Sequence, residues 1–197
     1  MSYTIVGLGN PGKEYENTRH NTGWIVLEHF RKTKKFPEWK HNKKLNAETS
    51  EGKLQKEKAL LVLPGTFMNK SGKAIAHLKD KSLKIKACLI VVHDDLDLPI
   101  GTFKIAFNRG TGGHKGVDSI RRSIKTKAFI RLKVGIAPAT PSGKVRKPKG
   151  EQKVSDFILG AFNPAELQKL KRILPKMTDT LEMIVAEGKE KAMNRFN

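Results

Sequence analysis

Short apolar runs alternate along the chain with longer stretches in which apolar residues recur at helical spacing. The runs at 3–7, 59–63, 87–93, 103–107 and 130–136 read as strands, with a weaker one at 45–49. Helical spacing marks 24–33, 71–79, 117–125 and 164–187. The last is the most regular, with Leu167, Leu170, Leu174, Met177, Leu181 and Ile184 at three- and four-residue steps. Asn163 and Pro164 suit its cap and first turn, and Gly188 suits its stop. Pro175 should kink or interrupt it, because proline lacks the backbone donor and crowds the preceding turn. The stretch 138–153 is rich in turn residues and poor in apolar ones, and reads as a basic surface loop before a C-terminal helical region at 163–188. Strands and helices mixed in this order imply a layered α/β domain.

At 197 residues the chain suits one hydrophobic core and a single domain. No apolar run approaches the roughly 20 residues that a membrane-spanning helix needs. Residues 1–10 lack the charged start of a secretory signal. Cys88 is the one cysteine of the chain, which excludes an intramolecular disulfide, so a reducing, cytoplasmic compartment is expected. Charge changes the picture most. Lys plus Arg is 39 against 19 for Asp plus Glu, a formal net charge of +20. Such an excess attracts polyanions, and no apolar face accompanies it as membrane anchoring would require.

Four polar segments carry the chemistry. Gly7-x-Gly9-x-x-Gly12 follows the first strand with the spacing of a dinucleotide fingerprint. The residues after it, KEYENTRHNT, cannot form the amphipathic helix that such a site requires. The glycines instead suit a tight turn holding Asn10 outside the strand's carboxyl end, where its amide can accept and donate hydrogen bonds. His20 lies in the polar cluster NTRHNTG and has the chemistry of a general base near neutral pH. His93, Asp94, Asp95 and Asp97 crowd the end of the third strong apolar run. Two readings stand for that cluster. One is a metal site of His93, Asp94 and Asp97 with His114; the other is a carboxylate that orients a histidine. The glycine-rich segment from Asn108 to Gly116 leads into a helix with backbone amides suited to phosphate or sugar hydroxyls. Phe67, Met68 and Asn69 offer an apolar pair and an amide beside a cleft. No G-x-S-x-G elbow occurs, so activated water is expected rather than a covalent intermediate.

GLGNPGKEYENTRHNTG, PGTFMNKSG, VVHDDLDLP and GTGGHKG, in that order, resemble the bacterial-type peptidyl-tRNA hydrolases over nearly the whole chain. The resemblance implies one α/β domain with a mixed, twisted β-sheet surrounded by helices. It implies cleavage of the ester between a peptide and the terminal ribose of tRNA, recycling tRNA dropped from stalled ribosomes. It also implies that no metal or organic cofactor is needed; nothing in the sequence itself calls for more than a monomer or for an obligate protein partner. Carried over by motif, His20 resembles the general base, Asp94 its orienting carboxylate, and Asn10 and Asn69 the amides that hold the reacting ester. Met68 resembles an apolar wall, and His114 lies in the glycine-rich motif at the cleft mouth. Tyr15, Phe67 and Lys115 complete the expected substrate contacts. Lys104, Arg121, Lys133, Lys144, Arg146 and Lys147 are the expected tRNA contacts. Three positions depart from the family pattern: Lys115 replaces an asparagine, Lys133 an arginine, and Ala106 a lysine. Relatives of this fold that bind RNA without hydrolysing it supply the alternative reading.

Overall fold

The structure, a computed structural model, describes residues 2–78, 88–140 and 142–197. The apolar runs and one short polar segment form a mixed sheet of seven strands: β1 (Ser2–Gly7), β2 (Lys40–Asn42), β3 (Ala47–Leu54), β4 (Glu57–Pro64), β5 (Leu89–Pro99), β6 (Phe103–Phe107) and β7 (Ile130–Ala137). Their order is β2-β3-β4-β1-β5-β7-β6. The central strands β4, β1, β5 and β7 are parallel, while β2, β3 and β6 pair antiparallel at the flanks. Among the described residues six α-helices accompany them: α1 (Thr22–Thr33), α2 (Gly72–Ala76), α3 (Lys115–Ile124), α4 (Glu151–Leu159), α5 (Pro164–Glu187) and α6 (Lys189–Phe196).

The twofold alternation of strand side chains divides the core between the two faces of the sheet. Ile5, Leu61, Ile90, Val92, Leu132 and Val134 pack against α1 and α5 through Val26, Leu27, Phe30, Leu174, Met177 and Leu181. Val6, Val62, Leu89 and Val91 point the other way, onto Ala74, Ile75, Val117 and Ile120 of α2 and α3. Because the central strands are covered on both faces, they read as continuous apolar runs.

The topology fixes where a site can lie. From β1 the chain reaches β4 on one side, then crosses to β5 on the other, so the parallel order reverses at β1. In such sheets a crevice opens beyond the carboxyl ends of the strands at the reversal. Gly7 lies opposite Val92 there. Gly23, at the start of α1, lies against the exit of β1 and the middle of β5: a Cβ on it would collide with backbone atoms of Leu8 and Val92. Only glycine lets α1 begin so close to the sheet.

Several elements differ from the sequence expectations. β5 runs on through the acidic cluster to Pro99, because its ladder with β7 continues through Asp94–Val134 and Asp95–Gly135 before a register shift. The helix expected over 71–79 is described only over Gly72–Ala76 plus a short tighter turn, and Lys79 lies outside the described residues, as does Ala87 at the start of an expected strand. Pro175 sits inside α5 without ending it. Within the stretch read as a loop, Ala139 bridges to Val145, and the last three residues begin α4. β2, α4 and α6 carried no readable periodicity: β2 is a polar edge strand, α4 buries no residue fully, and α6 buries only Ala192.

Candidate active site

A cleft of about 530 Å³ opens where the parallel strands end. β1 delivers Asn10 and His20 through the loop that follows it, β4 delivers Phe67, Met68 and Asn69, and β5 delivers Asp94. The glycine-rich segment adds His114 and Lys115, and α4 closes the far side with Val154, Ile158 and Leu159.

At the cleft floor His20 and Asp94 are buried, at 6% and 3% exposure. The Nδ1 of His20 lies 3.0 Å from both carboxylate oxygens of Asp94. A carboxylate accepts, so Nδ1 carries the proton and Nε2 keeps its lone pair. His114 reaches the same carboxylate, its Nε2 2.9 Å from Oδ1. Its other nitrogen accepts from the backbone N–H groups of Gly116 and Val117 at 3.1 and 3.3 Å, capping α3. Those donors force the proton of His114 onto Nε2, from which it is donated to Asp94. Burial by itself would push the Asp94 carboxyl up. The electrostatic attraction of the two imidazoles and their hydrogen bonds outweigh burial and hold it well below the usual carboxylate range.

Asn10 is fixed with equal definition. Its Oδ1 accepts from the Met68 N–H at 2.8 Å, so its orientation is settled and its Nδ2 remains a donor beside the cleft. Asn21, wholly buried, holds the Asn10 backbone from both sides: its Oδ1 accepts the Asn10 N–H at 2.8 Å and its Nδ2 donates to the Asn10 carbonyl at 2.9 Å. Asn21 was missed as a site residue. Its signal was an amide side chain in the same polar cluster as His20.

The remaining expected residues divide into two groups. Phe67, Met68, Asn69, His114, Lys115 and Lys147 line the cleft. Met68 is buried as a wall, whereas Phe67 is 55% exposed with Tyr15 packed edge-on against its ring at 6.4 Å. Tyr15 itself does not line the cleft. Lys104, Arg121, Lys133, Lys144 and Arg146 also lie outside its wall. Lys104 and Lys133 sit opposite each other across β6 and β7, and Lys133 pairs with Asp95 at 2.7 Å. Arg121 pairs with Asp118 at 2.7 Å on α3. Two ion pairs cross the cleft mouth: Lys115 with Glu151 at 3.4 Å and Lys147 with Asp97 at 2.5 Å.

His20, Asp94 and His114 offer one ligand atom each, all within 4.8 Å of one another. A cation there would need the Nε2 lone pair of His114, moving its proton to Nδ1, where two backbone donors already point. The donor set therefore suits a hydrogen-bonded carboxylate better than a metal. Asp97 and His93, the other ligands of the metal reading, stand outside this group. The Nδ1–H of His93 donates to the Asp94 carbonyl at 2.7 Å, and burial holds its ring neutral.

The family model for peptidyl-tRNA hydrolase matches residues 4–197. The chain belongs to the peptidyl-tRNA hydrolase family. Among family members, the peptidyl-tRNA hydrolase of Dehalococcoides mccartyi is 39% identical over 193 residues, covering 98% of both chains. That of Synechococcus sp. is 37% identical over 98% of this chain and 82% of its own. The crystal structure of peptidyl-tRNA hydrolase from Acinetobacter baumannii superposes with a TM-score of 0.88 at 28% identity, covering 99% of this chain and 94% of that one. The peptidyl-tRNA hydrolase fold extends through α6, beyond the last apolar periodicity of the sequence.

Proposed function

We propose that this chain hydrolyses the ester joining the peptide to the terminal ribose of peptidyl-tRNA, using water deprotonated by His20. The observation that carries this reading is the orientation of His20, with Nδ1–H on Asp94 and Nε2 left for water. As the water oxygen attacks the ester carbonyl, Nε2 takes its proton, and Asp94 offsets the charge of the imidazolium. The free Nδ2 of Asn10 donates to the oxygen on which charge develops; a donor so aimed contributes about 2.7–4 kcal/mol to the transition state. Asn69, at the rim, steadies the peptide. When the tetrahedral centre collapses, the ribose oxygen leaves and takes the proton from the imidazolium.

The peptide lies along the apolar wall of Phe67, Met68 and Leu159. The acceptor end of tRNA meets Lys115 and Lys147 at the mouth, with Lys104, Arg121, Lys133, Lys144 and Arg146 beyond it. The protein works as a monomer in the cytoplasm, without metal or organic cofactor. No described helix is long and apolar enough to cross a membrane. The test is turnover of N-blocked aminoacyl-tRNA, with and without chelator. His20→Ala should lose at least about 100-fold in kcat while binding tRNA as before. Near-normal turnover in that variant removes His20 from the role, and tRNA binding without any cleavage by the parent chain favours the non-catalytic reading.

A further inference from the structure

Next to His20, and outside the cleft wall, Arg19 makes an anchorage that the reaction scheme does not use. Its Nη1 donates to the carbonyls of Phe157 and Gly160 at 3.3 and 3.1 Å. Its Nη2 pairs with Glu166 at 2.6 Å. The guanidinium also lies 4.4 Å from the centroid of the Phe157 ring. Its own backbone N–H donates to the Gly160 carbonyl at 3.1 Å, and the bridge between Thr18 and Ala161 runs alongside. These partners surround the carboxyl end of α4, where a cation is favoured by the helix dipole. Ile158 and Leu159, from the same turn of α4, line the cleft.

We infer that Arg19 is a positioning residue that ties the backbone carrying His20 to the end of α4, so that the base and the apolar wall of the cleft keep one fixed relation. This rests on the reading of His20 as the base. The fork of the guanidinium is what the role requires: it meets two carbonyls and a carboxylate at once, and it lies over an aromatic ring. Lysine would keep the charge and lose that geometry. A displacement of about 1 Å at a catalytic group can cost about 100-fold in rate.

The test measures kcat, KM, thermal stability and the ring N–H proton resonance of His20 in Arg19→Lys and Gly160→Ala, with His20→Ala as control. Gly160 has φ −71° and ψ 143°, which alanine tolerates, but its new methyl would lie 3.0 Å from Nη1 of Arg19. Gly160→Ala therefore disturbs the anchorage while leaving Arg19 in place, and keeps the test open if Arg19→Lys folds poorly. Both variants should lose kcat, by about tenfold in Arg19→Lys and less in Gly160→Ala, with KM within about twofold and the His20 N–H resonance displaced. The inference is overturned if both keep parental kcat and an unmoved resonance while only stability falls. If His20→Ala itself turns over normally, the reading of the base has failed instead.

Discussion

His20 and His114 meet on one carboxylate, and each ring's second nitrogen decides what that ring can do. In His114 the second nitrogen is consumed by the cap of α3, which leaves the ring a fixed donor. In His20 it keeps its lone pair, which the proposed mechanism gives to water. Residue types after the first strand nominated Asn10 and His20 in sequence, and the acidic cluster on the run that became β5 nominated Asp94, since few other groups there could abstract or steer a proton. The same pattern put His114 near the mouth and joined it to Asp94 only as a metal ligand, not as a hydrogen-bond donor, because that contact spans 20 positions and depends on how β5 faces α3. Asn10 offers the sharpest test at this scale. Asn10→Asp keeps an oxygen for the Met68 N–H and removes the Nδ2 donor. kcat should fall by about 100-fold or more with thermal stability little changed, in steady-state assays beside calorimetry. An unchanged kcat would show that the Asn10 amide does not face the developing charge.

Among the elements, α1 connects the site to the rest of the fold. Its first residues follow His20 directly, and its carboxyl end is fastened by Glu28 and Arg31. Arg31, buried, donates to Glu28 and to the carbonyls of Phe36 and Pro37, while the Trp39 indole donates to Glu28 at 2.6 Å. Burial alone would raise the Glu28 carboxyl, but hydrogen bonds from Arg31, Trp39 and Lys32 bring it down to about 2. A folded value below the ordinary one means that the ionised form stabilises the fold. That contribution is complete above the ordinary value of 4.5 and fades as pH falls toward 2. Glu28→Gln should therefore melt below the parent at neutral pH, and the gap should narrow through this acid range. A gap that stays constant with pH would assign the loss to packing. The elements easiest to read from sequence were those with one apolar face, above all α5, whose capping box joins Asn163 and Glu166. The hardest was α4, whose apolar residues line a cleft and are only partly buried, so that its pattern resembles a loop.

For the whole molecule, the proposed function divides the work between the charge of +20, for capture, and the cleft at the strand ends, for chemistry. Capture of a polyanion by lysine and arginine weakens steeply with salt, since released counterions drive it. Raising salt from about 50 to 200 mM should raise KM for peptidyl-tRNA at least about tenfold, with kcat nearly constant. A peptidyl-adenosine lacking the tRNA body should show almost no such rise, and equal salt sensitivity for both would remove the basic surface from recognition. Counts and periodicities carried the α/β class and made polyanion attraction an expectation, because both hold wherever the residues end up. Local spacing also nominated most of the groups that can do the chemistry, because a residue's type limits what it can donate or accept. What the sequence could not decide was convergence. Asn10, Met68, Asp94 and His114 meet because the parallel strands reverse their order at β1 and end side by side. The tautomers of the two histidines, the role of Asn21 and the bond from Arg19 to α4 arise from contacts between distant segments. Local periodicity carries no record of those contacts; they appear only once the sheet has set the strand ends together.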